Sequence, residues 1–117
     1  MHIKEIKKLL ELETLVEIYP DLEVEAACGS DLMSDVLAFS QRKTMLLTGL
    51  TNIQVVRTAE MVDLKAIIFV RSKKPDRKTI KLARDKNISL YLANKSLFAC
   101  CGILYQGGVK PEKLNKI

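Results

Sequence analysis

The stretch LLTGLTNIQVVRTAE, residues 46–60, changes periodicity in its middle. An apolar run of strand type stops at Gly49, and a helical spacing of apolar residues begins just beyond it. The spacing predicts a strand over residues 44–48 and a helix over 51–62. The same unit recurs downstream, with strand 66–70 and helix 76–86, then strand 89–92 and helix 96–105. The run AIIFV is rich in β-branched residues and apolar at every position, as expected of a strand covered by helices on both faces. Strands alternating with helices of about a dozen residues predict βαβ crossovers and an α/β fold with a mainly parallel sheet.

Outward from this unit, Ile3, Ile6, Leu9 and Leu10 recur at helical spacing. The sequence Tyr19-Pro20-Asp21 marks a turn, because proline disfavours helix in the residue before it. Leu22, Val24 and Ala26 alternate with Glu23 and Glu25, the period of a half-buried strand ending near Cys28. Gly29, Ser30 and Asp31 break that strand, and residues 32–41 read as a second helix. Gly107 and Gly108 supply a left-handed cap after the last helix. The whole predicts a sheet of 4 to 5 strands, mainly parallel or mixed, in one domain over residues 1–109 with a short polar tail over 110–117. A chain of 117 residues is long enough for one core and too short for two.

Composition narrows the function classes. The chain is 48% hydrophobic and 28% charged, the balance of a folded globular protein. Its longest apolar run, residues 97–105, falls far short of the roughly 20 residues that span a bilayer. The amino terminus mixes Lys and Glu and lacks the apolar centre of a signal peptide, so the expectation is a cytoplasmic protein without a membrane partner. Three cysteines, two of them adjacent (Cys100 and Cys101), fit a reducing compartment and core packing. With His2 the only histidine, they offer no spaced metal-ligand set and no nucleophile-histidine pair. No catalytic residue and no metal ligand is assigned.

Charge is unevenly spread. Residues 1–35 hold nine acids against three lysines, a net of −6, so the remainder carries +11 of the total of +5. The densest basic run is RSKKPDRKTIKLARDK, residues 71–86. It contains no aromatic residue for base stacking, which argues against nucleic acid and for a solvated helix face or a contact with phosphate or a partner.

The turn at Gly49 supports two readings. Thr48, Gly49, Thr51 and Asn52 follow a strand and precede a helix, where loops of an open α/β sheet gather ligands. Glycine permits close approach, and the side chains offer hydrogen bonds. Equally, Thr51 and Gln54 match a capping box that would satisfy the helix end with no ligand. Neither G-x-x-x-x-G-K-[ST] nor G-x-G-x-x-G is present. Gly29, Ser30 and Asp31 form a second turn of the same kind. There Asp31 is either a helix cap or, four residues before Asp35, half of a carboxylate pair. The last helix carries Leu97, Phe98, Cys101, Leu104 and Tyr105; any surplus of this apolar stripe would be a dimer face.

Taken in order, GSDLMSDVL (29–37), KTMLLTGLTNIQVVRTAEMVDLKAIIFVRSKKPD (43–76) and ISLYLANKSLFACCGILYQGGV (88–109) resemble the small stand-alone DRTGG-type domains. That domain type is similar in fold to the amino-terminal domain of HPr kinase/phosphorylase. It also occurs in phosphotransacetylases and in the regulatory inserts of CBS-containing pyrophosphatases. The resemblance implies a three-layer α/β/α module that is regulatory or ligand-sensing, commonly homodimeric and not itself an enzyme. It further implies a small anionic metabolite or nucleotide as ligand, with no fixed cofactor, or instead a protein-interaction module serving a redox or metabolic enzyme. The literal Asp-Arg-Thr-Gly-Gly string is absent, and the loop after Thr48 takes its place by position.

Overall fold

The computed structural model describes residues 1–39 and 45–113. The expected end of the second helix at Gln41, the expected start of the next strand at Thr44, and residues 114–117 of the expected tail lie outside them.

Helix α1 (Ile3–Leu10) buries Ile3, Ile6 and Leu10 along one stripe. The His2 side chain accepts a hydrogen bond from the Lys4 N–H at its start, and Glu11, at a φ of 53°, ends it in the left-handed region. Then comes β1 (Glu13–Val16), a strand the sequence reading passed over, because only Val16 of its four residues is buried. It pairs antiparallel with the strand Ser89–Leu92 (β5), with a bulge between Thr14 and Val16.

The strand expected from Leu22 sits later, at β2 (Ala26–Gly29). The alternating residues ahead of it have a different partner. Ile3 N–H donates to Leu22 O and Val24 N–H to Met1 O, both at 2.8 Å, so this segment fastens the start of the chain and buries Val24 beneath it.

The remaining elements follow in the predicted alternation: α2 (Met33–Phe39), β3 (Met45–Thr48), α3 (Ile53–Met61), β4 (Ala66–Phe69), α4 (Arg77–Asp85), β5 (Ser89–Leu92), α5 (Leu97–Gln106) and β6 (Lys110–Pro111). They form one six-stranded sheet in the order β1-β5-β4-β3-β2-β6, parallel throughout except for β1. The expected fold class holds, a mixed and mainly parallel sheet between two helical layers. Among the described residues six strands stand where 4 to 5 were expected, the additions including short β1 and the two-residue β6 at the sheet's edges. Lys110 and Pro111 pair with Ala26 and Ala27, so the sheet extends two residues past 109.

Strands β3 and β4 are buried at every position, and their side chains alternate between two cores. Met45, Leu47, Ala66 and Ile68 meet Ile3, Ile6 and Leu10 of α1 and Cys100 and Leu104 of α5. Leu46, Ile67 and Phe69 meet Val36 of α2, Val55, Val56 and Ala59 of α3, and Ala83 of α4. Burial of both faces is what makes these strands read as continuous apolar runs. Among the described residues, no helix is long and apolar enough to cross a membrane.

One polar knot ties β1 to the rest. The Tyr91 side chain is fully buried in β5, and its hydroxyl donates to Glu17 Oε2 at 2.8 Å, while Lys7 Nζ of α1 donates to the same oxygen at 3.0 Å. Ser89 Oγ accepts from the Ile18 N–H at 2.9 Å. Burial by itself would raise the Glu17 carboxyl; the hydrogen bonds from Tyr91 and Lys7 outweigh it and hold the carboxyl below its ordinary value of 4.5.

A carboxyl depressed by folding stabilises the protein fully above its unfolded value and loses that contribution as the pH falls through the depressed one. Denaturation midpoints should therefore drop as the pH is lowered below 4.5, and Glu17→Gln should flatten that part of the profile. Tyr91→Phe, which removes one buried donor, should cost about 1 to 2 kcal/mol in urea unfolding at neutral pH.

Candidate functional site

Four parallel strands, β2 to β5, end on the same edge of the sheet, and each is followed by a short loop. The loops after β4 and β5 lead to helices in opposite layers, the arrangement that usually opens a crevice. Here that opening is closed by backbone. Arg71 N–H donates to Lys95 O at 2.9 Å and Ser72 N–H to Ala93 O at 2.8 Å. To make these bonds Arg71 and Ser72 take φ values of 57° and 56°, a left-handed geometry that non-glycine residues adopt at some cost. Beside it lie the loops after β2 and β3.

There the polar groups converge. Asp31, in the turn after β2, accepts the Gly49 N–H at 2.7 Å and the Thr48 hydroxyl at 3.1 Å, both on Oδ1. Thr48 is fully buried, and its Oγ1 in turn accepts the Leu50 N–H at 3.2 Å. The other carboxylate oxygen of Asp31 lies 3.9 Å from Arg71 Nη2. Arg71 reaches there by passing over Gly49, where a β-carbon would collide with its guanidinium. The guanidinium uses the space that this glycine leaves, and the glycine's own φ is not in the left-handed region.

Other expected site residues have local duties. Ser30 N–H extends the sheet pairing to Leu47 O, and Ser30 Oγ accepts from the Leu32 N–H. Asn52, not Thr51, caps α3: its side chain accepts from the Gln54 N–H at 3.1 Å, so the Thr51–Gln54 capping box does not form. Thr51 then precedes the cap, half-exposed. Gly29 packs against α5, with a β-carbon there coming 2.6 Å from Cys101 Sγ. Asp31 lies ahead of α2, which begins at Met33, and turns to Gly49; Asp35 is exposed on the helix. Of the two readings of Asp31, the carboxylate pair with Asp35 on one helix face is therefore not formed. Among the described residues, no group of three or more His, Cys, Asp or Glu is placed to hold a metal.

Arg71 was the residue not singled out. It opens the basic run 71–86, and the readable signal was its place directly after a buried strand, at the sheet's carboxyl edge. Lys73, Lys74, Arg77, Lys78 and Lys81 continue the positive surface from that loop along the exposed face of α4. Burial pushes both the Cys100 and the Cys101 thiols above their ordinary value, away from the reactive thiolate. Helix α5 leaves Phe98 90% and Tyr105 69% exposed, one on each side of exposed Gly102.

No protein-family model matches the chain, and no curated protein shows significant similarity to it. Its fold is similar to a crystal structure of the CBS and DRTGG domains of the regulatory region of Clostridium perfringens pyrophosphatase, complexed with the activator diadenosine tetraphosphate. The TM-score is 0.69 at 12% sequence identity, over 90% of this chain and 46% of that one. This chain thus spans about half the length of that structure. The likeness establishes the fold: the architecture is DRTGG-like, as the sequence resemblance implied.

The two turn glycines should respond differently to an added methyl group. Gly49→Ala displaces only the far end of a flexible arginine and should change unfolding free energy by about 1 kcal/mol at most, no more than the centre of the range for point substitutions. Gly29→Ala drives a methyl into Cys101 and Leu97, an overpacking that should cost about 1 to 3 kcal/mol by the same denaturant titration.

Proposed function

We propose that this chain is a non-catalytic, cytoplasmic regulatory domain that senses a small anionic metabolite, of the nucleotide class, at the loops after β2 and β3. The observation that carries the reading is the convergence of Gly49 N–H, the Thr48 hydroxyl and the Arg71 guanidinium on one point of the sheet's carboxyl edge. Two donors and a cation around a backbone without a side chain form a set suited to an oxyanion. The exposed lysines and arginines leading away along α4 add a field that draws anions toward it. The fold likeness to a regulatory region solved with a nucleotide activator supports the class of ligand. The hydroxyl that faces a carboxylate in this cluster, Thr48 beside Asp31, is fully buried, so binding without turnover is the fitting role.

A second reading rests on α5. An apolar, uncharged helix face with Phe98 almost fully exposed is the kind of surface that marks a protein contact. We assign it to a homodimer, in which a two-fold axis near Gly102 would let the two helices approach closely. The alternative occupant is the redox or metabolic enzyme that the domain would regulate.

A thermal-shift screen of nucleotides and small anionic metabolites at two salt concentrations tests the first reading. A ligand at a hundred times its dissociation constant should stabilise by about 2.7 kcal/mol, which is several degrees for a domain of this size. A panel with no salt-tolerant shift would overturn it. For the second, sedimentation equilibrium should show a dimer that Phe98→Asp converts to folded monomer; a wild-type protein that is monomeric at high concentration would reject the homodimer.

A further inference from the structure

We infer that the Asp31 carboxylate is a built-in stand-in for the ligand, displaced on binding by a phosphate-type oxyanion that then takes Arg71 as its clamp. The inference deepens, and rests on, the ligand-sensing reading above.

The Gly49 N–H, the Thr48 hydroxyl and the Arg71 guanidinium all already face Asp31. One of its oxygens accepts the Gly49 N–H and the Thr48 hydroxyl, and the other faces Arg71. A carboxylate and a phosphate present the same oxygen acceptors, so the side chain occupies the position that a ligand oxygen would need.

The occupant is loosely held on its charged side. The Arg71–Asp31 separation of 3.9 Å is too long for a hydrogen bond, and both side chains are about half exposed. An ion pair this exposed contributes little to stability and exchanges readily. The guanidinium has five N–H donors in a fork that matches phosphate, and among the described residues Asp31 is the one acid paired with it.

The backbone behind Arg71 is fixed in contrast to its side chain. A left-handed φ is maintained by the bond to Lys95 O, and Gly49 leaves the space through which the guanidinium crosses. Strain held in place by a bond to a neighbouring loop, at the residue that carries the charge, aims the cation across the turn. Arg71 is on this view the specificity-determining residue, selecting phosphate over neutral or cationic ligands, and Asp31 sets the affinity by competing.

The test titrates inorganic pyrophosphate into the ¹⁵N-labelled full chain, following the Gly49 amide by NMR and affinity by calorimetry. Asp31→Asn keeps a neutral acceptor for the fold, and Asp31→Ala empties the position. Either should tighten binding about tenfold, the factor expected when the unplugged state is populated about one-tenth of the time. Arg71→Gln should weaken it by at least as much. Asp35→Asn makes the same change of net charge on the exposed face of α2 and should leave affinity unchanged. If pyrophosphate shifts the Gly49 amide in the wild type but Asp31→Asn binds equally or more weakly, the stand-in role is overturned while the site stands. Tightening by Asp35→Asn equal to that by Asp31→Asn would likewise reduce the effect to net charge and overturn it. If the Gly49 amide is unmoved in the wild type and in both Asp31 variants, the site and the inference fall together.

Discussion

Burial of β3 and β4 on both faces is the constraint from which the rest of this fold follows. A strand whose odd and even side chains are all apolar needs a cover above and below, and a single helical layer would leave half of them in water. Three helices meet Leu46, Ile67 and Phe69, while α1 and α5 meet Met45, Leu47, Ala66 and Ile68. Because each crossover returns the chain to the start of the next parallel strand, the four loops after β2 to β5 are forced onto one edge. The polar cluster of Asp31, Thr48, Gly49 and Arg71 is a product of that geometry, joining three loops that lie far apart in sequence.

At this edge the structure uses side chains where many nucleotide-binding folds use runs of glycine. The turn after β3 has one glycine, and its N–H is already matched by a carboxylate from the preceding loop. The turn after β4 has none, and adopts a left-handed path with arginine and serine by borrowing two carbonyls from the loop after β5. Such a site is rigid in its backbone and adjustable in its side chains. That combination fits the sensing role proposed above.

The fold was largely legible because it is written in periodicity. AIIFV, MLLT and the helices between them declare themselves over a few residues each. What escaped notice depended on pairing across the chain. ETLV has one buried residue and becomes a strand only because β5 lies beside it. Leu22 and Val24 alternate like a strand, yet their partners are Ile3 and Met1. The site was legible in its turns and not in its contacts. Gly49 and Asp31 were found from their positions after strands, but that Asp31 would fill the turn at Gly49 depends on the β2–β3 register. Local rules chose the wrong cap for α3 because Thr51 and Asn52 are both competent cap residues, and it is Asn52 whose side chain accepts the Gln54 N–H.

The two margins of the sheet bear on how this protein meets other molecules. An unpaired strand edge invites another chain to add to it, the route to uncontrolled aggregation. On one side β1 is kinked by its bulge and carries exposed Glu13; on the other β6 is two residues long and includes Pro111, which lacks an N–H to offer. Both margins are thus poor templates for strand addition. With edge-to-edge growth discouraged at each end, contact with another chain is left to the side-chain surfaces.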